Sequence, residues 1–272
     1  MPIRAVALLI LTSIGFSLKA QQPNLVPYLA QSEQPTPAVI VCPGGSYCWL
    51  DKSNEGELVA QWLQREGISA FVLRYPVQGI FSFVSHSRYF NRGHQHPDAV
   101  NALFESIRLI RDSATAYNVD PDRVGAMGFS AGGHLVVSAA EFYQTEQERP
   151  DFVAAIYPVV TLSQKPWVHK RSRRALLGEY RKFSRHWRDS LSLEHHVHAD
   201  MPPVFLVNCL DDPTVHYHNS ELLDSALSLH HVSHQYLQYQ TGGHGFGASE
   251  VKGSPECRQW RTRFLEWFHS LL

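Results

Sequence analysis

Short apolar runs alternate along this chain with longer amphipathic stretches. The runs are residues 38–42 (AVIVC), 70–73 (AFVL), 123–129 (RVGAMGF), 152–157 (FVAAIY), 204–207 (VFLV) and 235–239 (QYLQY). A strand that is apolar on consecutive residues has no face to give to water, so it belongs in a parallel sheet covered on both sides. Between the runs, residues 55–66, 97–117, 131–142, 217–229 and 256–271 repeat their apolar positions at helical spacing. Leu58, Val59, Trp62 and Leu63 show it in the first of these, and Val100, Leu103, Phe104, Ile107 and Ile110 in the second. Strands alternating with helices predict βαβ units and a mostly parallel, doubly wound α/β sheet. No internal repeat or low-complexity linker divides the chain, so residues 21–272 read as one domain.

Two stretches break the alternation. Residues 79–96 are aromatic and polar without a period. Residues 161–202 contain a basic run between 165 and 188, including Lys170, Arg171, Arg173, Arg174, Arg181 and Lys182. Each follows a predicted strand, and loops leaving the carboxyl ends of strands build the crevice in such a sheet. Both are expected to act as cap or crevice loops, with a solvated helix face as the alternative for the basic run.

Residues 1–20 begin with Arg4, continue through an apolar stretch and end at Ala20. This is a signal-peptide pattern and predicts an exported protein, periplasmic or extracellular. The stretch is too short to span a bilayer comfortably, so no stable membrane insertion is expected. Net charge is −1 with a pI near 7.0, which provides no field to attract nucleic acid or an anionic membrane. Sixteen histidines suggest sensitivity to mild acid. Export permits disulfides among Cys42, Cys48, Cys209 and Cys257. Cys42 and Cys48 are close enough in sequence to pair, whereas Cys42 and Cys209 sit in strand-like runs that suit free buried thiols. No CxxC or HExxH spacing occurs, so neither a metal nor a cofactor is implied.

The chemistry centres on Gly128-Phe129-Ser130-Ala131-Gly132, which follows one apolar run and opens a helical pattern. That context is what a Gly-x-Ser-x-Gly nucleophile elbow needs: a sharp strand-to-helix turn that exposes the serine hydroxyl. The position at a helix N-terminus favours developing negative charge. A serine hydroxyl needs a base, and in this arrangement an acid and then a histidine follow in chain order. Asp211 and Asp212 directly follow the fifth apolar run; His244, in Gly242-Gly243-His244-Gly245, directly follows the sixth. An oxyanion would be received by the amide of Ala131 and by an amide of the early loop Pro43-Gly44-Gly45-Ser46, with Gly45 and Ser46 as the candidates. His134 lies one helical turn past Ser130 and reads as structural. Tyr47 and Trp49 either line the pocket or serve as core or surface aromatics.

With these residues in place, the chain resembles a bacterial family of acetylxylan-esterase-like and feruloyl-esterase-like serine esterases with the α/β-hydrolase fold. The likeness runs from about residue 38 to the C-terminus. It is carried by residues 41–47 (VCPGGSY), Glu55-Gly56, residues 67–73 (GISAFVL), 120–123 (DPDR), 127–134 (MGFSAGGH), 156–158 (IYP) and 242–246 (GGHGF). The family's acid is the second Asp of an Asp-Asp-x-x-Val-Pro stretch, which implies Asp212 over Asp211. This chain has His216 where the family has that Pro, and Ser46 where the oxyanion loop has a third Gly.

The expectation is an exported serine carboxylic ester hydrolase acting through an acyl-enzyme, with Ser130 as nucleophile, His244 as base and Asp212 as the orienting acid. The resemblance implies a small-molecule or oligosaccharide ester as substrate, with acetyl or other short acyl groups on plant-polysaccharide sugars. The alternatives are a peptidase or lipase-like hydrolase on the same three residues, and a non-catalytic carbohydrate-binding relative.

Overall fold

The structure is a computed structural model and describes residues 23–85 and 93–271. The signal-peptide reading of residues 1–20 and part of the 79–96 loop fall outside the described residues.

Seven strands form one sheet: β1 (Leu25–Tyr28), β2 (Thr36–Cys42), β3 (Ser69–Leu73), β4 (Val119–Phe129), β5 (Val153–Ile156), β6 (Val204–Cys209) and β7 (His234–Tyr239). Their spatial order is β1-β3-β2-β4-β5-β6-β7. β1 runs antiparallel to β3 and the other neighbours are parallel. The predicted runs therefore became the parallel strands. The run reading missed β1, a four-residue edge strand whose Pro27 is tolerated because an edge need not donate on both sides.

The continuous apolar runs divide their side chains between two layers, as the two-residue period of a strand requires. Ala38, Ile40, Phe71, Leu73, Ala126, Val153, Ala155, Val204 and Leu206 point into one layer. Val39, Val41, Ala70, Val72, Met127, Ala154, Ile156, Phe205 and Val207 point into the other. The first is closed by α3 (Asp98–Asp112), α5 (Ala131–Phe142) and α8 (His218–Leu229), through Leu103, Ile107, Leu135, Val136, Leu223 and Leu227. The second is closed by α1 (Leu58–Arg65) and α9 (Trp260–Ser270), through Val59, Trp62, Leu63, Trp260, Phe264 and Phe268. Each of these fully buried side chains contributes about 1.5–3 kcal/mol of transfer free energy.

The predicted helix over 97–117 is broken. Ser113 leaves helical geometry, α4 (Ala114–Tyr117) forms a separate turn, and Asn118 ends it in the left-handed conformation. The start of the predicted helix over 55–66 is a π-helical turn, Ser53–Glu57, before α1. The 161–202 segment folds as α6 (Lys170–Arg181), α7 (Arg185–Asp189) and a single 3₁₀ turn, Leu193–His195. Part of its positive charge is held within the protein: Arg174 and Lys182 both pair with Glu179, and Arg173 donates to Leu162 O, while Arg185 pairs with Asp189 at the surface. The 79–96 segment contributes α2 (Ile80–Val84), and Arg174 joins the two segments by donating to Phe83 O at 2.8 Å while lying over the Phe83 ring. All four cysteines are free and buried, so Cys42 and Cys48 are not paired. No described helix is long and apolar enough to cross a membrane.

Candidate active site

After β2 the chain moves one way to β3, and β4 returns on the other side of β2. This places a switch point between β2 and β4, where the loops leaving their carboxyl ends diverge and open a crevice. Cys42 is the register partner of Gly128, so the loop beginning at Pro43 and the turn at Ser130 emerge side by side. Cys209 is likewise paired with Tyr239, which brings the residues after β6 next to the residues after β7.

Ser130 has φ 54° and ψ −116°, a conformation rarely adopted by a residue with a side chain. Two close approaches hold it there. A Cβ on Gly128 would lie 2.0 Å from Gly132 O, and one on Gly132 would lie 2.0 Å from Cys42 O. Strand, turn and helix can pass this closely only because neither residue has a side chain. The Ser130 N–H donates to Ile156 O at 3.0 Å, and Ser130 O accepts from Val159 N–H.

His244 bridges the serine and one aspartate. Its Nε2 is 2.9 Å from Ser130 Oγ, and its Nδ1 is 2.6 Å from Asp212 Oδ2. The Asp212 side chain is closed off from solvent, and its Oδ1 accepts the amides of Thr214 and Val215 at 2.7 and 2.9 Å. A carboxylate can only accept here, so Nδ1 carries the imidazole proton and the Nε2 lone pair faces the hydroxyl. An imidazole held in this way can take a proton from Oγ and return it to a leaving group.

Asp211 has different work. Its two oxygens accept the amides of Gly242 and Gly243 at 3.2 and 2.8 Å, which clamps the loop that presents His244. Strand context alone left the choice between the two aspartates open.

The amides of Gly45, Ser46 and Ala131 donate to no other described group. Ser46 and Tyr47 both have φ of 60°, so this loop departs from ordinary backbone where its amides lie next to the elbow. Tyr47 is buried and hydrogen-bonded to His134 Nδ1 at 2.9 Å, while His134 Nε2 lies 3.0 Å from Leu191 O. His134 therefore braces the loop from beneath as a neutral imidazole, and burial lowers its pKa to about 4. Trp49 remains half exposed, with the Arg171 guanidinium 5.4 Å from its ring centre. His169, just before α6, is close enough to feel the charges of His244 and Asp212, and its pKa is lowered to about 4, mainly by burial. The start of α6 thus lies over the crevice. The described residues contain no group of His, Cys, Asp and Glu that could hold a metal ion.

Two further residues border the site. Tyr157, the first residue after β5, places its ring 4.5 Å from the His244 ring, centre to centre. Glu55 is buried beneath the Pro43–Ser46 loop. Neither residue carries a catalytic pattern in the sequence. One signal for Glu55 was available: at i, i+4 and i+7 it shares a helix face with Val59 and Trp62, and an acid on a buried face needs a reason.

The BD-FAE family model matches residues 27–227. An acetylxylan esterase of Xylanibacter ruminicola is 31% identical over 217 residues, covering 77% of this chain and 41% of its own. Endo-1,4-beta-xylanase B of Butyrivibrio fibrisolvens is 31% identical over 239 residues, covering 82% of this chain and 34% of its own. The chain thus spans between a third and two fifths of the length of these curated relatives. Among solved structures, an acetyl ester-xyloside bifunctional hydrolase from Caldicellulosiruptor lactoaceticus superposes with a TM-score of 0.79 at 34% identity, over 92% of this chain and 88% of that one.

Proposed function

The chain belongs to the BD-FAE family and has the α/β-hydrolase fold, and from that premise we propose that it is an exported serine carboxylic ester hydrolase that removes acetyl or other short acyl groups from xylan-type polysaccharides. The observation that carries this reading is the single imidazole spanning Ser130 Oγ and Asp212 Oδ2, with unengaged amides of Ala131, Gly45 and Ser46 alongside. The names of the relatives support the substrate class, and the leader pattern of residues 1–20 supports export.

In the proposed mechanism, His244 Nε2 takes the Ser130 proton as Oγ attacks the ester carbonyl. Asp212 holds the tautomer and stabilises the imidazolium. The carbonyl oxygen, now an oxyanion, receives the Ala131 amide and a Gly45 or Ser46 amide; such a donor is worth about 10²–10³ in turnover. The imidazolium protonates the departing sugar oxygen, which leaves as a hydroxyl, and the acyl group stays on Ser130. His244 then takes a proton from water as it attacks the acyl carbon, returns that proton to Ser130 Oγ as the C–O bond breaks, and the released acid gives up its own proton to solvent.

The test is hydrolysis of p-nitrophenyl acetate, butyrate and octanoate, followed by acetate release from acetylated xylan. The reading predicts rates that fall with acyl length and drop by about 10⁴-fold or more in Ser130→Ala. Undiminished hydrolysis by Ser130→Ala would remove the assignment, and a preference for octanoate would move the substrate class toward lipids.

A further inference from the structure

Glu55 sits in the π-helical turn Ser53–Glu57, a rare geometry that is frequent at functional positions. Only 3% of the residue is exposed. Each carboxylate oxygen meets one donor. Oε2 accepts the Gly44 amide at 2.7 Å, and Oε1 accepts the Tyr157 hydroxyl at 2.9 Å. The Tyr157 oxygen in turn accepts the Gly247 amide at 3.0 Å. Next in the same turn, Asn54 O accepts the Ala248 amide. One turn, buried at Glu55 and Gly56, therefore grips both the loop leading to Gly45 and Ser46 and the loop leaving His244.

Both donors that reach Glu55 suit an ionised carboxylate. Gly247 already donates to the Tyr157 oxygen, so the phenol proton points to Glu55. The Gly44 amide faces the other oxygen. The arrangement is satisfied by a carboxylate. No lysine or arginine pairs with Glu55 among the described residues. Burial raises its pKa, and the opposing charge is that of His244. A buried anion without a permanent counter-ion is costly. It is best accommodated when a cation forms nearby, and His244 becomes one when it accepts the Ser130 proton.

Contact with the reacting groups is close. A Cβ on Gly44 would lie 2.6 Å from Glu55 Oε2 and 2.9 Å from Ser130 Cβ. Glu55 therefore reaches the loop at a residue that packs against the Ser130 side chain. On the other side, the ring of Tyr157 lies against the imidazole.

We propose that Glu55 is a positioning residue of this hydrolase, holding the oxyanion-loop backbone through Gly44 and the histidine loop through Tyr157, and placing a second negative charge beside the His244 imidazolium. This rests on the serine hydrolase reading above. The distinction from a merely structural buried acid is electrostatic. A structural clamp affects stability and KM; a charge beside the imidazolium also moves the pH dependence.

The test compares the full chain with Glu55→Gln, Glu55→Asp and Tyr157→Phe on p-nitrophenyl acetate across pH. Glu55→Gln is expected to lower kcat by about 10- to 100-fold with KM changed less than about threefold, and to move the acid limb of kcat/KM to lower pH. Asp212, His169 and Tyr157 also face His244, and Asp51, Tyr75 and Tyr157 face Glu55. All of them persist in this variant, so the displacement belongs to the Glu55 charge. Glu55→Asp should restore the acid limb and part of kcat. Tyr157→Phe, which keeps the carboxylate and its Gly44 bond, should lower kcat without that displacement. A folded Glu55→Gln with wild-type kcat and pH profile would overturn the proposal. If Glu55→Gln does not fold, wild-type kcat in Tyr157→Phe would overturn it instead. Ser130→Ala, run in parallel, separates the two readings: activity surviving there defeats the serine mechanism, whereas activity lost there and unchanged in Glu55→Gln defeats only the role of Glu55.

Discussion

Asp211 and Asp212 are neighbours in sequence and share no partner. Asp212 is buried against His244, while Asp211 reaches across to the amides of Gly242 and Gly243. The two variants should therefore fail differently. Asp212→Ala is expected to reduce kcat by about 10⁴-fold, because the imidazole loses its tautomer and the acceptor of its proton. Asp211→Ala releases two loop amides and should cost about tenfold in kcat together with a few degrees of Tm. Steady-state kinetics and a thermal melt on both variants check the pair. His134 provides a pH prediction. Its folded pKa of about 4 lies below the ordinary histidine value of 6.5, so between these values the unfolded chain binds a proton that the folded chain refuses. Stability is accordingly lost as pH falls from about 6.5 to about 4, by about 3 kcal/mol for this nearly inaccessible residue. His96 and His169 are lowered to about 4 as well and add in the same direction. Urea unfolding at pH 7, 5.5 and 4.5 measures the slope, and His134→Gln should flatten it. At this scale the sequence was readable where chemistry follows chain order: strand, Ser, helix; strand, Asp; strand, His. Glu55 was not readable that way. Its partner Tyr157 lies 102 positions downstream, Gly247, which donates to that tyrosine, lies further on still, and only the sheet register brings them together.

Among the elements, apolar runs recovered β3, β5, β6 and the second half of β4 because these are buried on both faces, and α5 from Ala131 to Phe142 because every turn of that helix packs inward. It missed β1, where Pro27 and partial burial blur the pattern, and it merged α3 with α4, because the break at Ser113 carries neither Gly nor Pro. The basic run was ambiguous for a physical reason. Charge predicts solvent, yet part of the positive charge of α6 and α7 ties the segment together. Arg174 is the clearest case, joining Glu179, Phe83 O and the Phe83 ring. Arg174→Ala should lower unfolding free energy by about 1–2 kcal/mol and raise KM for acetylated xylan more than KM for p-nitrophenyl acetate, since the α2–α6 wall is then loosened only where a polymer would lie. Denaturant titration and kinetics on both esters test it.

For the whole molecule, the sheet order explains why residues more than a hundred positions apart meet. The loops after β2, β4, β5, β6 and β7 all leave the same edge of the sheet, and each brings one part of the site: Gly45 and Ser46, Ser130 and Ala131, Tyr157, Asp212, and His244. The shape of such a site is set by the core beneath it, since the two buried layers fix the strand ends. The proposed chemistry requires above all that Ser130 be a nucleophile activated by His244. A fluorophosphonate tests it most directly. Attack by Ser130 Oγ forms an O–P bond and expels fluoride, and no turnover of a guessed substrate is needed. This chemistry predicts stoichiometric labelling of the folded chain, located by peptide mass spectrometry at Ser130, absent in Ser130→Ala and strongly slowed in His244→Ala. Folded protein that stays unlabelled, or labelling at another residue that persists in Ser130→Ala, would contradict it.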